Sequence, residues 1–82
     1  MNVSDDVLAQ TICAQYDWMM DSAGRVYDED GVIVAPNLPD LSVVMRELNW
    51  FTPHGTVSTG VNWKSVPHEG AQCAEAVRAK LK

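Results

Sequence analysis

Residues 26–34, Val-Tyr-Asp-Glu-Asp-Gly-Val-Ile-Val, decide the fold class, because they place two short β-prone runs on either side of a turn. The first run is Val26-Tyr27, and the second covers residues 32–34. The four residues between them suit a type I turn, with Gly31 in the left-handed conformation of a G1 bulge. We therefore predict an antiparallel β-hairpin in this segment.

A helix is predicted on the N-terminal side of this hairpin. Residues 4–20 carry apolar side chains at mostly helical spacing, namely Leu8, Ile12, Tyr16, Met19 and Met20. Ser4 suits the N-cap, and the two aspartates that follow it lie where the helix dipole favours negative charge. Gly24 can adopt the left-handed conformation that ends helices, and we expect the helical region to stop before it.

A second helix is predicted after the proline-bounded break that follows the hairpin. Asn37 or Asp40 can cap it, and we expect it to end near Asn49. Its apolar positions follow the i, i+3, i+4, i+7 pattern and comprise Leu41, Val44, Met45, Leu48 and Phe51.

The C-terminal third is predicted to contain a second hairpin and a third helix. A turn cluster at residues 52–55 precedes a short hairpin over residues 56–63, with its own turn at residues 58–60. The segment Ser65-Val66-Pro67 is expected to start the last helix. One face of that helix carries Ala74, Val77 and Leu81.

These elements predict one α+β domain over residues 1–82, with three helices and one or two short antiparallel β-hairpins. A chain of 82 residues has no room for a second core. The three helical stripes are expected to bury one shared set of side chains, namely Leu8, Ile12, Tyr16, Leu41, Val44, Leu48, Val77 and Leu81.

The charge of the chain is acidic and uneven. Eleven acids and six bases give a formal net charge of −5. Residues 1–63 carry a net charge of −7, and residues 64–82 carry +2. Because contact with phosphates needs a basic footprint, this balance disfavours general nucleic-acid binding.

Two features bear on the expected compartment. The first six residues contain neither a basic region nor an apolar run, and the strongly apolar run at residues 32–35 is far too short to cross a membrane. We expect a cytoplasmic protein with no membrane contact. In that reducing compartment Cys13 and Cys73 are expected to remain buried thiols.

No metal or cofactor is predicted from the candidate ligands. If Gly31 is the invariant sixth residue of an EF-hand loop, Val26 falls at the first position and Asn37 at the twelfth, where acids are needed. The residues that could bind zinc lack paired spacing and are Cys13, His54, His68 and Cys73.

Enzymatic activity is not predicted. The sequence contains no Gly-x-Ser-x-Gly elbow, no Gly-rich phosphate loop and no His-Glu-x-x-His motif. A domain of this size also rarely encloses a pocket large enough for small-molecule chemistry.

Trp18 and its acidic neighbours suggest a binding role instead. Trp18 lies about 80° from the helical stripe that begins at Leu8, so we expect it to reach the surface between Asp17 and Asp21. An exposed tryptophan among carboxylates suits a partner protein with a basic rim. The predicted partner-binding residues are Asp17, Trp18, Asp21, Asp28, Glu29 and Asp30.

The predicted function is therefore that of a small acidic regulator or inhibitor. It would act by occupying a surface of a larger, basic, nucleic-acid-handling protein. This description also suits a phage-encoded anti-host or anti-defence protein, located in the cytoplasm of the host cell. We expect a monomer or a small homo-oligomer.

An alternative comes from residues 41–55 and Trp63. With the turn Thr-Pro-His-Gly at residues 52–55, they resemble the end of helix-turn-helix domains, where a helix, such a turn and a tryptophan precede the recognition helix. The likeness covers under half the chain, and the gap from Trp63 to Val77 is long. It implies a winged-helix-like DNA-binding regulator whose contacts are Lys64, Arg78, Lys80 and Lys82.

Overall fold

The computed structural model describes residues 4–54 and 57–82, and it shows an α+β domain with three helices and two small antiparallel sheets. The predicted fold class is confirmed. In chain order the elements are α1 (Asp5–Gln15), β1 (Met19–Met20), β2 (Val26–Tyr27), β3 (Ile33–Ala35), α2 (Leu38–Glu47), β4 (Phe51–His54), β5 (Val57–Val61) and α3 (Gly70–Leu81). One sheet has the strand order β1-β2-β3, and β4 and β5 form the other.

The α1 helix begins as predicted but ends earlier. The Ser4 side chain accepts a hydrogen bond from the Val7 amide at 3.3 Å. At the other end Asp17 has a φ of 60°, and the Trp18 amide donates to the Cys13 carbonyl at 2.9 Å. This six-to-one bond belongs to a Schellman motif, with Asp17 in the left-handed position that glycine usually occupies.

The helix therefore does not reach Met20, and the prediction of a helix over residues 4–20 is wrong at its C-terminal end. Met19 and Met20 instead form an edge strand that pairs with β2. Both methionine side chains are exposed. Their helical spacing to Tyr16 was a coincidence of the sequence.

The α2 helix ends in the same way. Asn49 has a φ of 64°, and the Trp50 amide donates to the Met45 carbonyl at 3.0 Å. Of the two predicted caps, Asn37 is the one observed at the other end, where its side chain accepts from the Asp40 amide at 2.8 Å. In both helices the Schellman motif places a tryptophan just beyond the helix.

The first hairpin is confirmed, whereas the second differs from its prediction. Strands β4 and β5 are antiparallel, and their paired residues run from Phe51 with Val61 to His54 with Val57. The predicted turn at residues 58–60 therefore lies within β5. Gly55, in the predicted turn cluster, and Thr56 lie outside the described residues. Trp63 follows β5 and is exposed.

The α3 helix begins later than predicted. Residues 64–69 form turns and bends, and the Ser65 hydroxyl accepts a hydrogen bond from the Asn62 side-chain amide at 2.9 Å. Ser65 therefore closes a local turn and does not cap the helix. Gly70 is the first residue of the helix and packs against Tyr16, where an added Cβ would lie 3.1 Å from the Tyr16 Cβ.

One core joins the helices and both sheets. Five of the eight side chains predicted to share it are buried, namely Leu8, Ile12, Leu41, Val44 and Val77, and the other three are partly buried against it. Trp18 and Trp50 belong to the same core. The Tyr16 hydroxyl donates to the Pro67 carbonyl at 2.6 Å and so holds the segment before α3 against α1.

Candidate functional site

The turn between β2 and β3 is organised by the Asp28 carboxylate. Its Oδ1 accepts hydrogen bonds from the Asp30 and Val32 amides, both at 2.9 Å. Gly31 has a φ of 79°, and its amide donates to the Asp28 carbonyl at 3.0 Å. An aspartate that binds the backbone two and four residues later fixes such a turn. The Glu29 and Asp30 side chains are exposed on it.

Arg78 of α3 fastens this turn to the domain. One guanidinium nitrogen donates to Asp28 Oδ2 at 2.6 Å, and Nε donates to the Ile33 carbonyl at 2.8 Å. A third contact reaches the Val32 carbonyl at 3.2 Å. Because of these bonds the β2–β3 turn is held at a fixed position beside α3.

The pKa of Asp28 is lowered in this setting. Partial burial disfavours the charged form, but the hydrogen bond from Arg78 and those from the two turn amides outweigh it. The carboxylate therefore stays ionised at neutral pH, and its charge is matched by Arg78.

A recess of about 240 Å³, here called the acidic cleft, lies between the end of α1, this turn and α3. Its lining includes Tyr16, Trp18, Asp28, Glu29, Asp30, Val32, Gly70, Ala71, Glu75 and Arg78. Glu29, Asp30 and Glu75 are exposed, and among the described residues none of the three takes part in an ion pair. The cleft thus carries three uncompensated carboxylates.

The aromatic part of the cleft corrects the prediction for Trp18. Its side chain is only 6% exposed, so the expectation of a surface tryptophan is wrong. The physical reason is the Schellman motif, which turns Trp18 out of the helical series and into the core. The centroids of the Trp18 and Tyr16 rings lie 6.1 Å apart, and the two ring planes are tilted by 39°.

The six predicted partner-binding residues therefore divide into groups. Asp17 is exposed but does not line the cleft, and Trp18 is a core residue with one edge on the cleft. The Asp21 and Asp28 carboxylates each accept hydrogen bonds from backbone amides of the turn that follows them. The structure brings Asp28, Glu29 and Asp30 together with Glu75, which the sequence analysis did not single out. No sequence signal links Glu75 to the turn, because only tertiary packing brings α3 beside it.

Asp21 shows most clearly a carboxylate with a structural role. It accepts hydrogen bonds from the Ala23 and Arg25 amides at 2.9 Å, from Arg25 Nε at 2.7 Å and from the Tyr27 hydroxyl at 3.0 Å. Desolvation opposes its ionisation, but these bonds prevail and lower the pKa of Asp21 to about 2.

Two of the four cations of the DNA-binding alternative make ion pairs within the domain. Arg78 is bound to Asp28 and to two carbonyls of the hairpin, and Lys80 lies 3.6 Å from Glu47 of α2. Lys64 lies in the turn region before α3, and Lys82 is exposed at the end of that helix.

The possible zinc ligands are not assembled. Cys13 and Cys73 are both buried and free, and burial raises the pKa of the Cys13 thiol to about 11 and raises that of Cys73 as well. His68 is exposed, and the His54 side chain lies outside the described part of the structure. Among the side chains that are described, no group of three or more His, Cys, Asp or Glu is placed to hold a metal ion.

Comparisons with protein-family models, with curated proteins and with solved structures found no match for this chain. In the described ranges no helix is both long enough and apolar enough to span a membrane.

Proposed function

We propose that this protein is a binding module that acts by occupying a basic surface of a larger partner protein. The observation that carries the proposal is the acidic cleft, where Glu29, Asp30 and Glu75 present charge that no cation of the described residues neutralises. A lysine or arginine side chain of the partner would enter this cleft and supply the missing charge.

The position of the carboxylates favours this role. Exposed acids scattered over a surface contribute mainly to solubility, whereas a recess whose lining carries an excess of one sign of charge concentrates the local potential. The turn that carries Glu29 and Asp30 is fixed by Arg78, so little ordering is needed on binding. A partner surface that normally contacts phosphates has the matching charge, and occupying it would inhibit that partner.

The test compares two variants with the same net charge. In the cleft variant Glu29→Gln, Asp30→Asn and Glu75→Gln remove three charges while keeping side-chain size. Immobilised wild type and variant are used to capture proteins from a lysate, and the association rate of the purified partner is then measured at low and moderate salt. We expect the cleft variant to associate at least tenfold more slowly and with a weaker dependence on salt, because exposed charges steer the encounter.

The matched control carries Asp17→Asn, Asp40→Asn and Glu69→Gln, three exposed acids that do not line the cleft. It should associate at nearly the wild-type rate. Equal slowing of the control and the cleft variant would indicate general charge attraction and contradict the proposal.

Duplex DNA serves as the probe for the alternative function. Tight binding of DNA that persists in the cleft variant but is lost when Lys64, Lys80 and Lys82 are neutralised would favour the DNA-binding regulator. Each lost phosphate contact should reduce the salt slope by about one.

A further inference from the structure

A second recess, here called the apolar groove, lies beside the acidic cleft. Its volume is about 370 Å³, and its apolar walls are formed by Val32, Ile33, Val34, Ala35, Pro36 and Leu81. Val32 is 51% exposed and Ile33 is 45% exposed, although both are large apolar side chains. Arg78 and Lys82 complete its lining.

The groove and the cleft adjoin each other. Val32 and Arg78 line both recesses, so a segment bound in one lies next to the other. At the boundary between them the Arg78 guanidinium is held by Asp28 and by two carbonyls.

Arg78 occupies a backbone acceptor at the edge of the sheet, and this bears on how a segment binds in the groove. Its Nε donates to the Ile33 carbonyl, so this acceptor of the sheet-edge strand β3 is already used. A partner that added a strand to this edge would have to displace the arginine. Recognition of an occupant through its side chains leaves this hydrogen bond in place.

The charges around the groove indicate that a bound segment carries a charged side chain beside the apolar side chain that fills the groove. The cleft end carries the uncompensated Glu29, Asp30 and Glu75. A second copy of this chain would bring another net charge of −5 toward these acids, so self-association through the groove is disfavoured. A segment of a partner protein with a cation at this end is complementary.

We infer that the segment recognised by this protein carries a cationic and a bulky apolar side chain on the same face. The cation enters the acidic cleft and the apolar side chain packs on Val32, Ile33 and Leu81. This inference rests on the proposed function and specifies the chemistry of its partner.

Short capped peptides test it by NMR of the labelled full-length protein. Three are used within the same Gly-Ser flanks, with central residues Lys-Ser-Leu, Lys-Ser-Ser and Ser-Ser-Leu, because side chains two residues apart in an extended chain point the same way. We expect Lys-Ser-Leu to shift both the Glu29, Asp30 and Glu75 amides and the Val32, Ile33 and Leu81 methyls. It should bind about tenfold more tightly than Lys-Ser-Ser, as burial of roughly 50 Å² of apolar surface implies.

Two variants locate the effect. In Ile33→Thr, which keeps a β-branched residue in the strand, the advantage of the leucine peptide should disappear while binding of Lys-Ser-Ser stays unchanged. The control Val43→Thr alters a residue that is 55% exposed on α2 and lines neither recess, and it should bind all three peptides as wild type does.

The outcomes separate this inference from the proposed function. If Lys-Ser-Ser shifts the cleft amides and leucine adds neither affinity nor methyl shifts, the inference is overturned and the proposed function stands. Equal binding of Ser-Ser-Leu and Lys-Ser-Leu also overturns it. If neither lysine peptide shifts the cleft amides at millimolar concentration, the proposed function fails as well.

Discussion

The substitution Arg78→Met tests whether this arginine holds α3 to the first hairpin. Methionine keeps an unbranched apolar stem but removes the guanidinium group. The change therefore deletes the ion pair with Asp28 and the hydrogen bonds to the Ile33 and Val32 carbonyls. These contacts join α3 to the first hairpin.

The magnitude follows from the exposure of the pair. A hydrogen bond to a charged group contributes about 1.5–3 kcal/mol, whereas exposed ion pairs contribute about 0–1 kcal/mol. The Arg78 side chain is 29% exposed and that of Asp28 is 12% exposed, so the pair lies between these cases. We expect a loss of about 2 kcal/mol in the free energy of unfolding, which for a domain of this size lowers Tm by about 10 °C.

The assay is urea denaturation followed by tryptophan fluorescence, since Trp18 and Trp50 are buried. Lys80→Met is the matched control on the same helix, because its ion pair with Glu47 is long and exposed. It should cost less than about 0.5 kcal/mol. Equal losses for the two variants would refute the structural role of Arg78.

A double-mutant cycle with Asp28→Asn measures the pair itself. The sum of the two single losses in unfolding free energy should exceed the loss in the double variant by about 1 kcal/mol, since each single substitution removes the same ion pair. If the losses simply add, Arg78 acts through the hairpin carbonyls alone.

Three further predictions concern stability. Ile12→Ala, at a fully buried position, should cost about 2–5 kcal/mol in urea denaturation, while Val7→Ala on the exposed face of α1 should cost less than about 1 kcal/mol; similar losses would place the wrong face of α1 in the core. Gly70→Ala should lower Tm, although alanine normally stabilises a helix, because the new Cβ would lie 3.1 Å from Tyr16; a rise in Tm would contradict this packing. The pKa of Asp21 is about 2 when folded, below its unfolded value of about 3.9, so its stabilisation is present above pH 3.9 and is lost as the pH falls through 2. Asp21→Asn should flatten the acid side of the Tm profile, and an unchanged profile would count against the Asp21 contacts.

The sequence pattern was sufficient for the elements whose signals are local. The N-caps of α1 and α2 and the turn before Gly31 depend on side chains within four residues of the backbone groups that they bind. The α+β class followed from these elements. Helical periodicity also found the buried faces of α1, α2 and α3.

The errors share a physical cause at helix ends. Periodicity assumes that the helix continues, and neither Asp17 nor Asn49 is a glycine that would mark a left-handed residue. The angle calculated for Trp18 was therefore that of a helical residue, which it is not. The corresponding residue of α2, Trp50, is buried in the same manner.

The cleft could not be assembled from the sequence, because its parts lie far apart along the chain. Glu75 and Arg78 reach the turn at Glu29 only through the packing of α3 on β3. Residues on separate elements give no spacing signal. The acidic residues of the turn can be identified from the sequence. The sequence does not show that Arg78 binds this turn or that Glu75 is the fourth carboxylate of the cleft.

The structure also separates the acids that hold the fold from those available for binding. Asp21 and Asp28 each bind backbone amides and an arginine, so reversing their charge would destabilise the loops that they organise. A variant that changed them together with Asp30 would lose binding for two indistinguishable reasons. Glu29, Asp30 and Glu75 have no ion pair among the described residues, and changing them leaves those loops intact. A loss of partner binding in the cleft variant, at unchanged Tm, therefore reports on the surface itself.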